Sequence, residues 1–138
     1  MSARKPDILG TIALVAYLGL IAYLCLAHFD NLPSVPRAFL GIPSDKLVHF
    51  LMFMPFVPLA YIAFVGDRRS PWVTLAATVA IFAAGCGVAA LTEILQGMTS
   101  YRSKDVLDYR ADTISMAVMS LVVFIHYLYR RRKNAPDS

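Results

Sequence analysis

At 138 residues, of which 58% are hydrophobic and only 16% charged, the chain is too apolar to hide its side chains inside a soluble core of its own size. Soluble domains carry about 25% charged residues. The formal net charge of +4 comes largely from clusters flanking apolar runs, so the basic balance points to membrane anchoring and gives no support to nucleic-acid binding. No linker, low-complexity tract or internal repeat divides the chain, and one domain over residues 1–138 is expected.

A hydrocarbon core about 30 Å thick takes about 20 apolar residues to cross as a helix. Four stretches qualify: Ile8 to Phe29, Leu47 to Val65, Val73 to Leu95 and Val106 to Leu128. The expected fold class is therefore all-α, a bundle of four transmembrane helices.

The first run follows Arg4 and Lys5, as the apolar part of a signal peptide would. It is long for that purpose, and His28, Phe29 and Asp30 stand where small residues would mark cleavage, so a retained helix is expected. In the second run, Pro55 and Pro58 each remove a backbone donor and predict a kink. The third run carries Ala76, Ala80, Ala84 and Gly87, with Ala83 and Ala90 beside them. Small residues at this spacing let helices approach closely in lipid, so this helix is expected to be the most buried of the four. Cys25 and Cys86 lie within apolar runs without metal-ligand spacing and read as small packing residues.

Orientation follows from Lys and Arg. Arg4, Lys5, Arg68, Arg69, Arg130, Arg131, Arg132 and Lys133 fall on one side, against Arg37, Lys46, Arg102, Lys104 and Arg110 on the other. Positive loops stay in the cytoplasm, so both ends and the short loop from Gly66 to Trp72 are expected inside, in a multi-pass membrane protein.

With that topology the remaining ionisable residues gather on the outer side. Asp45, Lys46 and His49 open the second helix, with Asp45 and His49 on one face. Glu93 and Gln96 close the third. Arg102, Ser103 and Lys104 precede the fourth, which opens with Asp105, Asp108 and Asp112 in one stripe; Arg110 lies off it. Ser44 or Asp45 is placed to cap the second helix and Ser103 the fourth, with Asp105 favourable in its first turn. Capping does not account for Glu93, Gln96, Asp108 or Asp112. Carboxylates one to two turns inside a span are costly, so they are expected to be paired with Arg102, Lys46 or His49, protonated, or facing water. A binding site of Asp45, Lys46, His49, Glu93, Gln96, Arg102, Asp105, Asp108 and Asp112 is expected, open to the outer leaflet, with a purely structural network of ion pairs as the alternative.

The runs Asp45-Lys46-Leu47-Val48-His49-Phe50, Thr92-Glu93-Ile94-Leu95-Gln96 and Arg102-Ser103-Lys104-Asp105-Val106-Leu107-Asp108, in this order and at three helix ends, resemble the VanZ-like family of small bacterial membrane proteins. The family pattern continues with Asn, Thr and Gly where this chain has Asp112, Thr113 and Ser115. The first departure adds a charge, and the second is expected to loosen a close helix contact. The resemblance implies a place in the bacterial inner membrane and an envelope role, since the family's namesake is linked to resistance against a glycopeptide that acts on lipid-linked cell-wall precursors.

Three readings of function follow. The first is binding or handling of an envelope lipid or lipid-linked precursor, with Lys46, Arg102 and Lys104 at headgroup level and the carboxylates and Gln96 holding those cations and accepting sugar hydroxyls. The second is a structural or modulatory subunit of an envelope complex, or a homodimer. The third is a metal-dependent enzyme acting on a lipid phosphate, with a cation held by Asp105, Asp108, Glu93 and His49. The chain has no compact ligand motif and no nucleophile beside a base, so no metal and no cofactor are expected.

Overall fold

In the computed structural model, residues 6–27, 38–66, 70–100 and 104–135 are described. The chain is an all-helical bundle: α1 (Ile8–Leu26), a small hairpin of β1 (Ala38–Phe39) and β2 (Ile42–Pro43), α2 (Ser44–Phe53), α3 (Phe56–Phe64), α4 (Pro71–Gly97) and α5 (Val106–Lys133). Counting α2 and α3 as one broken span, four helical segments among the described residues are long and apolar enough to cross a membrane, as expected of a multi-pass membrane protein.

The second span carries the expected disturbance at Pro55, with Met54 and Pro55 still in the right-handed helical region. Met54 and Pro55 separate α2 from α3, because proline cannot donate to the turn before it. Hydroxyls from the neighbouring helices serve carbonyls beside the break. Tyr17 of α1 donates to the Met52 carbonyl at 2.5 Å, and Ser115 of α5 donates to the Phe50 carbonyl at 2.6 Å. Neighbour-supplied donors of this kind let membrane helices carry proline. Ser115 is fully buried, so at this position the chain gains a bond between α5 and α2 where a loosened contact was expected.

The start of α2 differs from that read in the sequence. Pro43 occupies the N-cap position of α2 without a side-chain cap bond, so Ser44 and Asp45 lie inside the helix. At α5 the capping expected of Asp105 is found: its carboxylate accepts the Leu107 N–H at 2.8 Å. Ser103 and Arg102 lie outside the described residues. The hairpin was not foreseen; its turn places Leu40 at φ 52° and Gly41 at φ 81°, both in the left-handed region that two-residue hairpins require.

The core centres on the broken span. Phe53, Val57 and Phe56 pack with Ile21, Cys25, Ala89, Met116 and Val123. The broken span, not the third, is the most buried: 39% of its most apolar window is buried, against 22% for α4. The reason is the direction of the small stripe. Ala76, Ala80, Ala83, Ala84 and Gly87 are exposed, whereas Thr74, Thr78, Gly85, Ala89, Thr92, Glu93 and Gln96 face inward. Cys25 is buried, Cys86 is partly buried, and neither is in a disulfide.

At Gly10, an added Cβ would come within 3.1 Å of the Ala63 backbone, where Asp7 N–H also donates to the Ala63 carbonyl at 2.9 Å. Gly10→Leu should therefore separate α1 from α3 and cost about 1–3 kcal/mol. Thermal unfolding in detergent, followed by helical circular dichroism, checks this; an unchanged melting temperature would contradict the contact.

Candidate functional site

The start of α2, the end of α4 and the start of α5 meet at one end of the bundle. Helical periodicity explains why their polar residues converge. Asp108 and Asp112 lie four apart on α5 and are both buried, while Arg110 between them is exposed. Glu93 stands about 6 Å along the axis from the end of α4, and Asp112 about 9 Å beyond the start of α5.

Lys46 is the hub of the outer layer. Its ammonium is 2.7 Å from Asp45 Oδ2, 2.5 Å from Asp105 Oδ2 and 2.5 Å from Asp108 Oδ1. An ammonium has three N–H donors, and each has a carboxylate here. The Lys46 side chain is 14% exposed and Asp108 12%, whereas Asp45 at 59% and Asp105 at 39% reach solvent. Sequence reasoning expected Lys46 to approach a phosphate with carboxylates steadying it; the steadying consumes its whole donor set.

His49 forms the inner layer. Its Nδ1 lies 3.1 Å from Asp112 Oδ1, and its Nε2 lies 3.5 Å from Asp108 Oδ2. Asp108 thus bridges Lys46 and His49. Asp112 is fully buried, and Glu93 is 2% exposed. Glu93 Oε2 accepts the Asp105 backbone N–H at 3.1 Å, tying α5 to α4. Its other oxygen, Oε1, is buried without a hydrogen-bond partner among the described residues. Burying a carboxylate oxygen in this way is expensive.

The structure therefore brings together Asp45, Lys46, His49, Glu93, Asp105, Asp108 and Asp112. Gln96 serves a different contact: its Nε2 donates to the Cys25 carbonyl at 3.0 Å and holds α1 to α4. Lys104 is exposed, with its Cβ against Gly97. Arg102 lies outside the described residues. Tyr17 and Ser115, which brace α2 beneath the site, were missed; the available signal was a hydroxyl in the middle of an apolar run.

The Lys46 ammonium, and then the Leu107 N–H, hold the Asp105 carboxyl below its usual range. A carboxyl with a depressed folded-state value contributes stability at neutral pH. That contribution declines once pH falls below the unfolded value of about 3.9 and is gone below the folded one. Acid unfolding of wild type should therefore be steeper below about pH 4 than that of Asp105→Asn, which keeps a capping oxygen and loses the titration. Identical acid limbs would contradict the pairing.

No protein-family model, curated protein or solved structure matches the chain.

Proposed function

We propose that the chain is a VanZ-like protein of the bacterial inner membrane, with both ends in the cytoplasm, that binds the polar end of an envelope lipid or lipid-linked precursor at its outer face. The observation that carries the reading is the convergence of three polar helix ends into one cluster, half buried and half open, at the edge of a membrane-spanning bundle. The distribution of Lys and Arg supports the orientation. The resemblance at residues 45–50, 92–96 and 102–108 supports the envelope role.

The geometry divides the work of binding. Lys46 organises the carboxylates and has no donor to spare. The exposed oxygens of Asp45 and Asp105 accept hydroxyls of a sugar or the ammonium of a headgroup. Contact with a phosphate falls to Lys104 and Arg102, the latter as a bidentate donor.

The test is mass spectrometry of lipids retained by the detergent-purified protein. Wild type should carry an enriched anionic envelope lipid, and Arg102→Ala combined with Lys104→Ala should lower its retention about tenfold or more, the effect of losing about 1.4 kcal/mol. Equal retention by wild type and the double variant would end this reading. A second reading, lateral association with a partner helix, has its own support in the exposed Ala76, Ala80, Ala84 and Gly87 face of α4. Its sign is a stoichiometric protein partner without enriched lipid.

A further inference from the structure

We infer that His49, Glu93 and Asp112 form a binding site for one divalent transition-metal ion of the zinc type. The inference rests on the inner layer of side chains alone and holds for either orientation in the membrane and with or without a lipid ligand.

Each of these residues comes from a different membrane-spanning segment, and each offers a ligand atom within 4.8 Å of the other two. All three are buried: His49 is 7% exposed, Glu93 2% and Asp112 0%. A zinc ion bonds nitrogen and carboxylate oxygen at about 2.0–2.1 Å in a tetrahedron, which places its ligand atoms about 3.3 Å apart. His49 Nδ1 and Asp112 Oδ1, at 3.1 Å, already span such an edge. Bringing in the glutamate oxygen takes a movement of about 1.5 Å or less, within reach of a side-chain torsion.

The buried Glu93 Oε1, which has no hydrogen-bond partner among the described residues, is a second and independent observation that points to a ligand. Glu93 and Asp112 bring two carboxylates into a buried space, and among the described residues no Lys or Arg pairs with either. The nearby Lys46 has its three donors on Asp45, Asp105 and Asp108. A divalent cation with a neutral imidazole balances the two carboxylates and gives Glu93 a partner. The other acidic group, Asp45, Asp105 and Asp108, meets the same distance criterion, but it already encloses the Lys46 ammonium.

The surroundings suit a metal-bound histidine. Such a residue presents its second ring nitrogen to a carboxylate that fixes the tautomer and ring orientation. Here His49 Nε2 faces Asp108 at 3.5 Å, and Lys46 holds the other oxygen of Asp108. Asp108 is thus a positioning residue for the site. An imidazole with two carboxylates selects zinc-type ions over calcium or magnesium, which take six or more oxygens. Three protein ligands leave the fourth position to water or to an anionic oxygen.

The experiment loads the full-length, tag-free protein in detergent with zinc, removes the excess by desalting, and measures bound metal and thermal unfolding. Wild type should retain about one zinc per chain and melt at a higher temperature with zinc than after chelation; calcium should give no shift. Glu93→Gln and His49→Ala should lose the retained zinc and the shift, and helical circular dichroism before loading reports whether each variant is folded. Asp108→Asn should keep the one-to-one ratio with affinity weakened about 10–100-fold. Wild type that retains no zinc and shows no shift overturns the inference, whatever the variants do. So does zinc binding of wild-type strength in folded Glu93→Gln or His49→Ala.

Discussion

Lys46→Met is expected to cost about 3 kcal/mol or more of stability, the penalty for leaving a buried charge without its partner. Methionine fills much of the lysine's volume and removes the ammonium from among Asp45, Asp105 and Asp108, whose oxygens lie within 4.8 Å of one another. Water relieves Asp45 and Asp105, which are 59% and 39% exposed, so the cost concentrates on Asp108 at 12%. Asp45→Asn alone should therefore change stability by about 1 kcal/mol or less. Adding Asp108→Asn to Lys46→Met should return part of the loss, with a coupling of at least about 1 kcal/mol in the double-mutant cycle. Unfolding in detergent, followed by helical circular dichroism, provides all of these values. Additive effects would show that Lys46 and Asp108 do not depend on each other.

The second large effect is expected at Gly85. An added Cβ there would meet the Met116 sulfur and would lie 2.8 Å from the Phe56 ring. Met116 is fully buried and Phe56 is 5% exposed, so neither has free space to move into. Gly85→Leu should cost about 3 kcal/mol, at the upper end for overpacking a close-packed core. Two residues along the same helix, Gly87 has no atom within 4 Å of an added Cβ and faces away from the bundle. Gly87→Leu should therefore be tolerated, with unchanged melting. Equal losses at both positions would mean that α4 is rotated relative to the packing described.

The contrast between these glycines shows where sequence reasoning stops. Small residues occur on two neighbouring faces of α4, and spacing alone does not say which one packs. The chosen face carries Glu93 and Gln96 inward, where Glu93 joins the polar cluster and Gln96 serves the Cys25 carbonyl. The four spans were legible because no other structure accommodates such apolar runs. The disturbance at Pro55 was legible, but the Tyr17 and Ser115 hydroxyls that serve carbonyls beside it were not, because they come from distant segments. The hairpin was hidden because Leu40 adopts a positive φ without the Asn or Asp that usually signals it.

The clustering of charged side chains was legible for a related reason. Charges inside apolar runs are expensive, so Asp108, Asp112 and Glu93 stood out from composition alone. The division of labour among them was not. That Lys46 spends all three donors on carboxylates, and that Gln96 serves a backbone carbonyl instead of the cluster, depends on how three distant segments meet.

The central claim is that this charged cluster faces the outer side of the membrane, where envelope lipids and their precursors are exposed. A single cysteine at Met98, a 77% exposed residue at the end of α4, tests it directly once Cys25 and Cys86 have been replaced by serine and folding confirmed. A membrane-impermeant maleimide added to intact spheroplasts should label Met98→Cys and leave a cysteine at Asn134, beyond the basic cluster of α5, unlabelled until the membrane is opened. Labelling of Asn134→Cys in intact spheroplasts, with Met98→Cys protected, would place the site in the cytoplasm and contradict the account.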